Sequence, residues 1–229
     1  MGKMRSAAIL ASALLLAACQ SPGPAVDALS DSASIAPATS SNPFSDVIRA
    51  STAMPFGPPA EPPSGYVAFC SRDPDQCAAP SGGAPVVALD SATWHTMEQV
   101  NTAWNAEVKP LEDAAHYGRV DYWTIPRDGY GDCEDYALGK RKSLVDLGLP
   151  ARALRLTIAR TPDGTAHTVL IAATDRGDYV LDNLRSAILP WTATNYTWIA
   201  RQVPGQIQWA SVGPAPKLQG EFVSAGIAQ

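Results

Sequence analysis

The chain has 229 residues, a formal net charge of −5 and four cysteines. No run of lysine and arginine interrupts this mildly acidic composition, which argues against a nucleic-acid partner. Twelve of the twenty prolines fall between Pro22 and Pro85, so the amino-terminal third cannot bury enough apolar surface to offset its ordering entropy. What remains is the size of one domain.

The chain opens on "MGKMR", a short basic start, followed by "SAAILASALLLAA", an apolar run too short to span a membrane comfortably. Residues 1–18 therefore read as an export signal. The run closes on Leu16-Ala17-Ala18-Cys19, which is similar to a bacterial lipobox, so Cys19 is expected to carry lipid and begin the mature chain. Ordinary cleavage after Ala18 is the alternative, and both export the protein. Gln20 after the cysteine fits sorting to the outer membrane, on its periplasmic side. Loss of Lys3 and Arg5 with the leader takes the formal charge from −5 to −7. Residues 19–65 are expected to form a Pro-, Ser- and Ala-rich tether, residues 66–212 a domain and residues 213–229 a loose tail.

With Cys19 acylated, three cysteines remain. Cys70 and Cys77 lie close together in "FCSRDPDQCA", and an oxidising compartment favours a disulfide between them. Cys133 is left alone. An odd cysteine in such a compartment flags a working thiol; a buried inert cysteine is the bland alternative.

In chain order, the first predicted helix starts near Asp90 or Ser91, with Trp94, Met97, Trp104, Val108 and Leu111 recurring at helical steps. "AAHYGRVDYWTIPRDGYG" has loop composition. A second helix is predicted from near Asp132 to about Leu147, where "LGLP" supplies a Gly-then-Pro stop. Three strands follow, "ARALRLTIAR", "AHTVLIAAT" and "DYVLDNL", separated by the turn signals "TPDG" and "DRGD". Helices followed by an antiparallel meander define an α+β fold.

The chemistry concentrates in "GYGDCEDYALGK", Gly129 to Lys140. Cys133 sits at a predicted helix amino end, where unpaired N–H groups and the helix dipole favour a thiolate. His167 opens the second strand and Asp182 closes the third, so adjacent antiparallel strands can bring the two together. Cysteine, histidine and an orienting aspartate are the nucleophile, base and orienter of acyl-transfer enzymes. His95 and His116 are equally available on composition, and a single histidine is more often structural. Asp132, Glu134 and Asp135 pose the difficulty, because close carboxylates oppose a thiolate. An N-capping role for Asp132 with an acidic first turn is the simplest account of them.

The set "VNTAWN", "DYW", "GDCEDYALGK", "LGLPARALRL", "AHTVLI" and "YVLDNL", spanning about Val100 to Trp191, resembles the bacterial transglutaminase-like cysteine peptidases. The best-known members are periplasmic proteases that clip large surface adhesins. The resemblance implies a papain-like, transglutaminase-like core with helices on an antiparallel sheet. By motif it makes Cys133 the nucleophile, His167 the general base and acid, and Asp182 the orienting residue; His95 and His116 fall outside the motifs. It also implies calcium beside the thiol, held by Asp132, Glu134, Asp135 and, from the first helix, Asn105, with no organic cofactor. Oxygen ligands suit that hard cation. The expected protein is an exported, monomeric cysteine endopeptidase. It would be lipid-anchored to the membrane and act on protein or peptide substrates of the cell surface. An amidase or transglutaminase acting on glutamine amides or cell-wall peptides would use the same triad. A non-catalytic envelope binding protein is the third reading.

Overall fold

The computed structural model describes residues 51–78, 82–205 and 207–213. The expected leader, the lipidation site at Cys19, most of the tether and residues 214–229 lie outside the described residues.

The first two helices are short: α1 (Ser64–Arg72) and α2 (Pro74–Cys77), joined by a disulfide between Cys70 and Cys77. The first long helix, α3, covers Ser91–Glu107. Asp90 caps it, its Oδ1 accepting the Thr93 N–H at 2.7 Å. Met97, Val100 and Asn101 form its buried face, with Trp94 and Trp104 packed on the same core. The helix stops short of Leu111 because Pro110 disfavours the helical conformation at Lys109.

Lys109–Pro110 (β2) pairs in parallel with Tyr130–Gly131 (β3), enclosing a loop that carries a one-turn helix, α4 (Asp113–Tyr117). The central helix, α5, spans Cys133–Asp146. Residues 134–141 are all buried, so the first two turns of this helix are wrapped by protein on every side, and only its last turn has an exposed face. Gly148, at φ +95°, ends it, and the Leu149 N–H reaches back to the Leu144 carbonyl at 2.9 Å.

The three predicted strands are β4 (Leu154–Arg160), β5 (Ala166–Thr174) and β6 (Gly177–Leu181), a consecutive antiparallel meander. The sheet is wider than the sequence suggested. Counting β1 (Pro59–Ala60), β7 (Leu189–Pro190), β8 (Thr197–Gln202) and β9 (Trp209–Ser211), it is seven-stranded in the order β1-β9-β8-β4-β5-β6-β7. Alternation splits its side chains between two cores. Leu154, Leu156, Leu170, Ala172 and Leu181 share a core with α3 and α5, whereas Val169, Ile171, Val180, Tyr196 and Met54 pack together in the other.

The boundary expected at Tyr66 is too late. Met54 is buried, β1 pairs with β9, and the Met54 N–H bonds the Asp178 carboxylate at 3.0 Å. Residues 51–65 belong to the fold because their backbone fills positions the sheet would otherwise leave open. The antiparallel sheet with helices packed on it is the papain-like and transglutaminase-like architecture.

The two long helices cross at Gly139, where a Cβ would lie 2.2 Å from the Trp104 ring. That ring is fixed by its Nε1–H bond to Ser143 Oγ at 2.9 Å. Gly139→Ala should therefore destabilise the protein by about 2 kcal/mol, overpacking outweighing alanine's gain in helix propensity. A lowered urea midpoint with an unchanged m-value would register it.

Candidate active site

The first turn of α5 lies against the start of β5. The Thr168 backbone N–H meets the Cys133 sulfur at 3.3 Å, and the thiol donates to Glu134 Oε2 at 3.1 Å. Cys133 is half-buried and is a free thiol. One residue before Thr168, His167 is buried, with Nε2 2.8 Å from Asp182 Oδ1.

The sheet register explains that pair. Leu170 faces Leu181, so continuing the ladder sets Asp182 opposite Val169 and diagonal to His167 on the same face. Asp182 is almost fully buried and its oxygens are subscribed. Oδ1 also accepts the Leu184 N–H at 3.0 Å, and Oδ2 accepts the Tyr196 hydroxyl at 2.5 Å. Burial opposes ionisation of Asp182, but the His167 bond and charge, with the Tyr196 and Leu184 donors, hold its carboxyl below the ordinary value. The structure thus gathers Cys133, His167 and Asp182 at one end of the sheet. His95 is exposed on α3, and His116 pairs with Asp128 at 2.8 Å and stacks on Tyr117.

The carboxylates are arranged differently from the expectation. Asp132 occupies the N-cap position, yet its side chain makes no capping bond. Asp132 and Glu134 instead meet Asp113 of α4, with one ligand oxygen from each lying within 4.8 Å of the others. Asp113 Oδ1 and Asp132 Oδ1 are buried and accept no hydrogen bond. An all-oxygen set with orphaned, convergent acceptors fits a hard divalent cation. The other two expected ligands lie outside that trio, and Asp135 Oδ2 and Asn105 Oδ1 are likewise buried without a hydrogen-bond partner. Asp135 is fully buried and accepts the Thr124 N–H on Oδ1, and Asn105 donates to the carbonyls of Asp182 and Arg185 at 2.9 and 3.0 Å. Asn101, one turn earlier, donates to Arg185 and Ser186, so α3 clamps the loop that follows Asp182.

Asp113 was missed because it lies in a loop-like stretch about twenty residues from the thiol, with no spacing that links it to α5. Tyr196 was missed for the same reason; "ATNYTW" carries no motif.

Burial is the main cause of the charge problem here. It raises Asp132, Glu134 and Asp135, the last to about 8, and the neighbouring Glu134 and Asp113 charges raise Asp132 further. Burial, then the Glu134 and Asp132 carboxylates, push the Cys133 thiol well above its ordinary value.

A free thiol at the start of a buried helix thus stands beside an imidazole–carboxylate pair on an antiparallel sheet. The family described as bacterial transglutaminase-like cysteine proteinase, BTLCP, matches residues 56–216, so the chain belongs to that family and is a cysteine peptidase. Among solved structures it is similar to Legionella pneumophila LapG, at 31% identity over 52% of this chain and 68% of that one, TM-score 0.45. The calcium-bound form of that protein matches at 30% identity over 58% and 75% of the two chains, TM-score 0.46. The EGTA-treated form matches at 32% over 48% and 63%, TM-score 0.43. No curated protein matches the chain.

The raised carboxyls make stability pH-dependent in metal-free buffer. The fold retains protons that the unfolded chain releases near the ordinary values of 3.8 and 4.5, so its advantage is complete below them. That advantage is lost as pH rises toward the Asp135 value of about 8. In EDTA, Tm measured by calorimetry should fall by about 5 °C or more between pH 5 and pH 8.

Proposed function

We propose that the chain is an exported cysteine endopeptidase, held in the periplasm by a lipid on Cys19 and a tether, that hydrolyses proteins of the cell envelope. The observation that carries this reading is the buried His167–Asp182 pair, one residue from the N–H that meets the Cys133 sulfur. With Nε2 committed to Asp182, Nδ1 of His167 is the ring nitrogen left to exchange a proton with the thiol. Cys133 Sγ attacks the scissile carbonyl carbon as its proton passes to His167. The departing amine takes that proton, leaving a thioacyl enzyme. Water then attacks the thioester while giving a proton to His167, the carboxylic acid leaves, and the thiol is restored. Asp182 holds the imidazole in orientation and stabilises its cationic form.

Asp113, Asp132 and Glu134 would hold calcium, which when bound supplies positive charge beside the thiol. In that state Glu134 no longer acts on Cys133 as an unbalanced charge. The oxygen-only donor set and the two unpartnered buried oxygens support this assignment.

Cys133→Ala should retain the fold and lose all cleavage of envelope protein extracts, and Asp182→Asn should lower turnover by about 10²-fold or more. A Cys133→Ala protein that still cleaves would refute the assignment. With a labelled amine and a glutamine-containing protein, hydrolytic fragments are expected without stable label; incorporation of label would identify a transferase.

Asp113→Asn should weaken calcium binding by roughly tenfold or more, read by titration calorimetry, because one formal charge leaves the set. Calcium should also raise Tm, and more at pH 8 than at pH 5.

A further inference from the structure

We propose that Tyr196 is a positioning residue for the reaction, fixing the Asp182 carboxylate so that one oxygen stays aimed at His167; the proposal rests on the assignment of Cys133, His167 and Asp182 above.

The terminal torsion of an aspartate is broad and nearly two-fold, so a carboxylate bonded on one oxygen alone can rock or exchange its oxygens. Asp182 Oδ1 already receives His167 Nε2 and the Leu184 N–H. Oδ2 receives the Tyr196 hydroxyl at 2.5 Å, while Arg185 Nε stands off at 3.9 Å. The phenol is therefore the close donor on that oxygen. It is rigidly held: the Tyr196 ring is buried, edge-on to Trp198 at 5.8 Å and packed in the core that includes Val169 and Val180. The same ring stands edge-on to His167, with centroids 5.5 Å apart and planes at 72°, so one side chain touches both members of the pair. Burial and the bond to Asp182 push the phenol up to about 12, so it remains a proton donor throughout the neutral range.

A structural tyrosine would need only its ring. A positioning tyrosine needs its oxygen, and Tyr196→Phe separates the two while keeping the packing. The readout is the His167 imidazole titration by NMR on the purified protein, its signals assigned by their loss in His167→Asn. Among the described residues, the charged or titratable groups around the pair include Cys133, its partner Glu134 and Lys140 on α5, Arg185 in the loop after β6, and Tyr196 itself; Asp182 acts electrostatically on Lys140. Cys133, Glu134 and Lys140 are unchanged by the substitution, whereas Arg185 loses its bond to the phenol and is followed by the same titration. Without the phenol the carboxylate charge is shared among fewer donors and falls more fully on the imidazolium. The His167 midpoint should therefore rise by about one unit, and its Nε2 proton should exchange faster with water. Asp182→Asn, measured alongside, should lower that midpoint.

An unchanged midpoint in Tyr196→Phe, with Asp182→Asn shifted, would overturn the role of Tyr196 alone. An unchanged midpoint in both would overturn the pair and, with it, the triad.

Discussion

The sulfur of Cys133 and the N–H of Thr168 meet at 3.3 Å because α5 brings its first turn against the start of β5. That contact fixes helix to sheet where the chemistry lies, and much of the fold serves to keep it. Gly139 lets α5 approach Trp104 of α3 more closely than any larger residue would allow. Asp135 and Tyr136, in the turn that carries the thiol, bond backward to the Thr124 N–H and the Val108 carbonyl at 2.8 and 2.5 Å. The register of β5 with β6 then puts His167 and Asp182 on one face, and two asparagines of α3 hold the loop beyond them. Helix, sheet and loop are tied to one another by buried polar bonds, whose loss would leave unsatisfied groups.

Electrostatics at this junction oppose the helix geometry. A helix amino end favours a thiolate by at most about 2 kcal/mol. A unit charge about 4 Å away at an effective dielectric near 20 opposes it by roughly 4 kcal/mol, or about three pKa units. Burial opposes the thiolate most; Glu134, which touches the thiol, and Asp132, which precedes it, add to that opposition, so the thiol is held in its neutral form. Convergence of Asp113 on the same two residues changes the meaning of that repulsion. Three carboxylates with unpartnered buried oxygens are unfavourable alone and favourable around a dication. Under the calcium assignment proposed above, the acidic residues that oppose the thiolate would make its reactivity conditional on a ligand.

The parts of this arrangement legible in the sequence were those with local signatures. Asp90 and the Trp94–Met97 spacing gave α3, the "LGLP" stop gave the end of α5, and alternation with turn signals gave β4, β5 and β6. Cys133 stood out by cysteine parity, and His167 and Asp182 were singled out by the family motifs, their places at strand ends making a meeting possible. What stayed hidden depends on contacts between distant segments. Asp113 joins Asp132 only because β2 pairs with β3 and folds the intervening loop back over α5. Asn105 was drawn in by the family resemblance, and its Nδ2 bonds backbone carbonyls of the loop after β6 while its Oδ1 is buried without a hydrogen-bond partner. Tyr196 lies fourteen positions beyond Asp182, past the short strand β7, and no period marks it.

The two ends of the domain show the same limit. The segment from Ser51 to Ala60 looks like tether, being rich in proline and small residues, and local propensity alone would leave it unfolded. Its order comes from the far end of the chain. Arg201 and Asp178 form a buried ion pair at 2.9 Å, and the Met54 backbone completes it, the N–H bonding Asp178 and the carbonyl accepting from Arg201. Asp178 bonds Thr52 through its backbone as well, and Pro59 and Ala60 pair with Ala210 and Trp209. A buried charge pair is stabilising only when its remaining bonds are made, and here the amino-terminal arm makes them. The arm and the carboxy-terminal strand therefore order each other. Met54 covers the core that holds Tyr196, so closure of the domain and support of the Asp182 carboxylate converge on one layer of side chains.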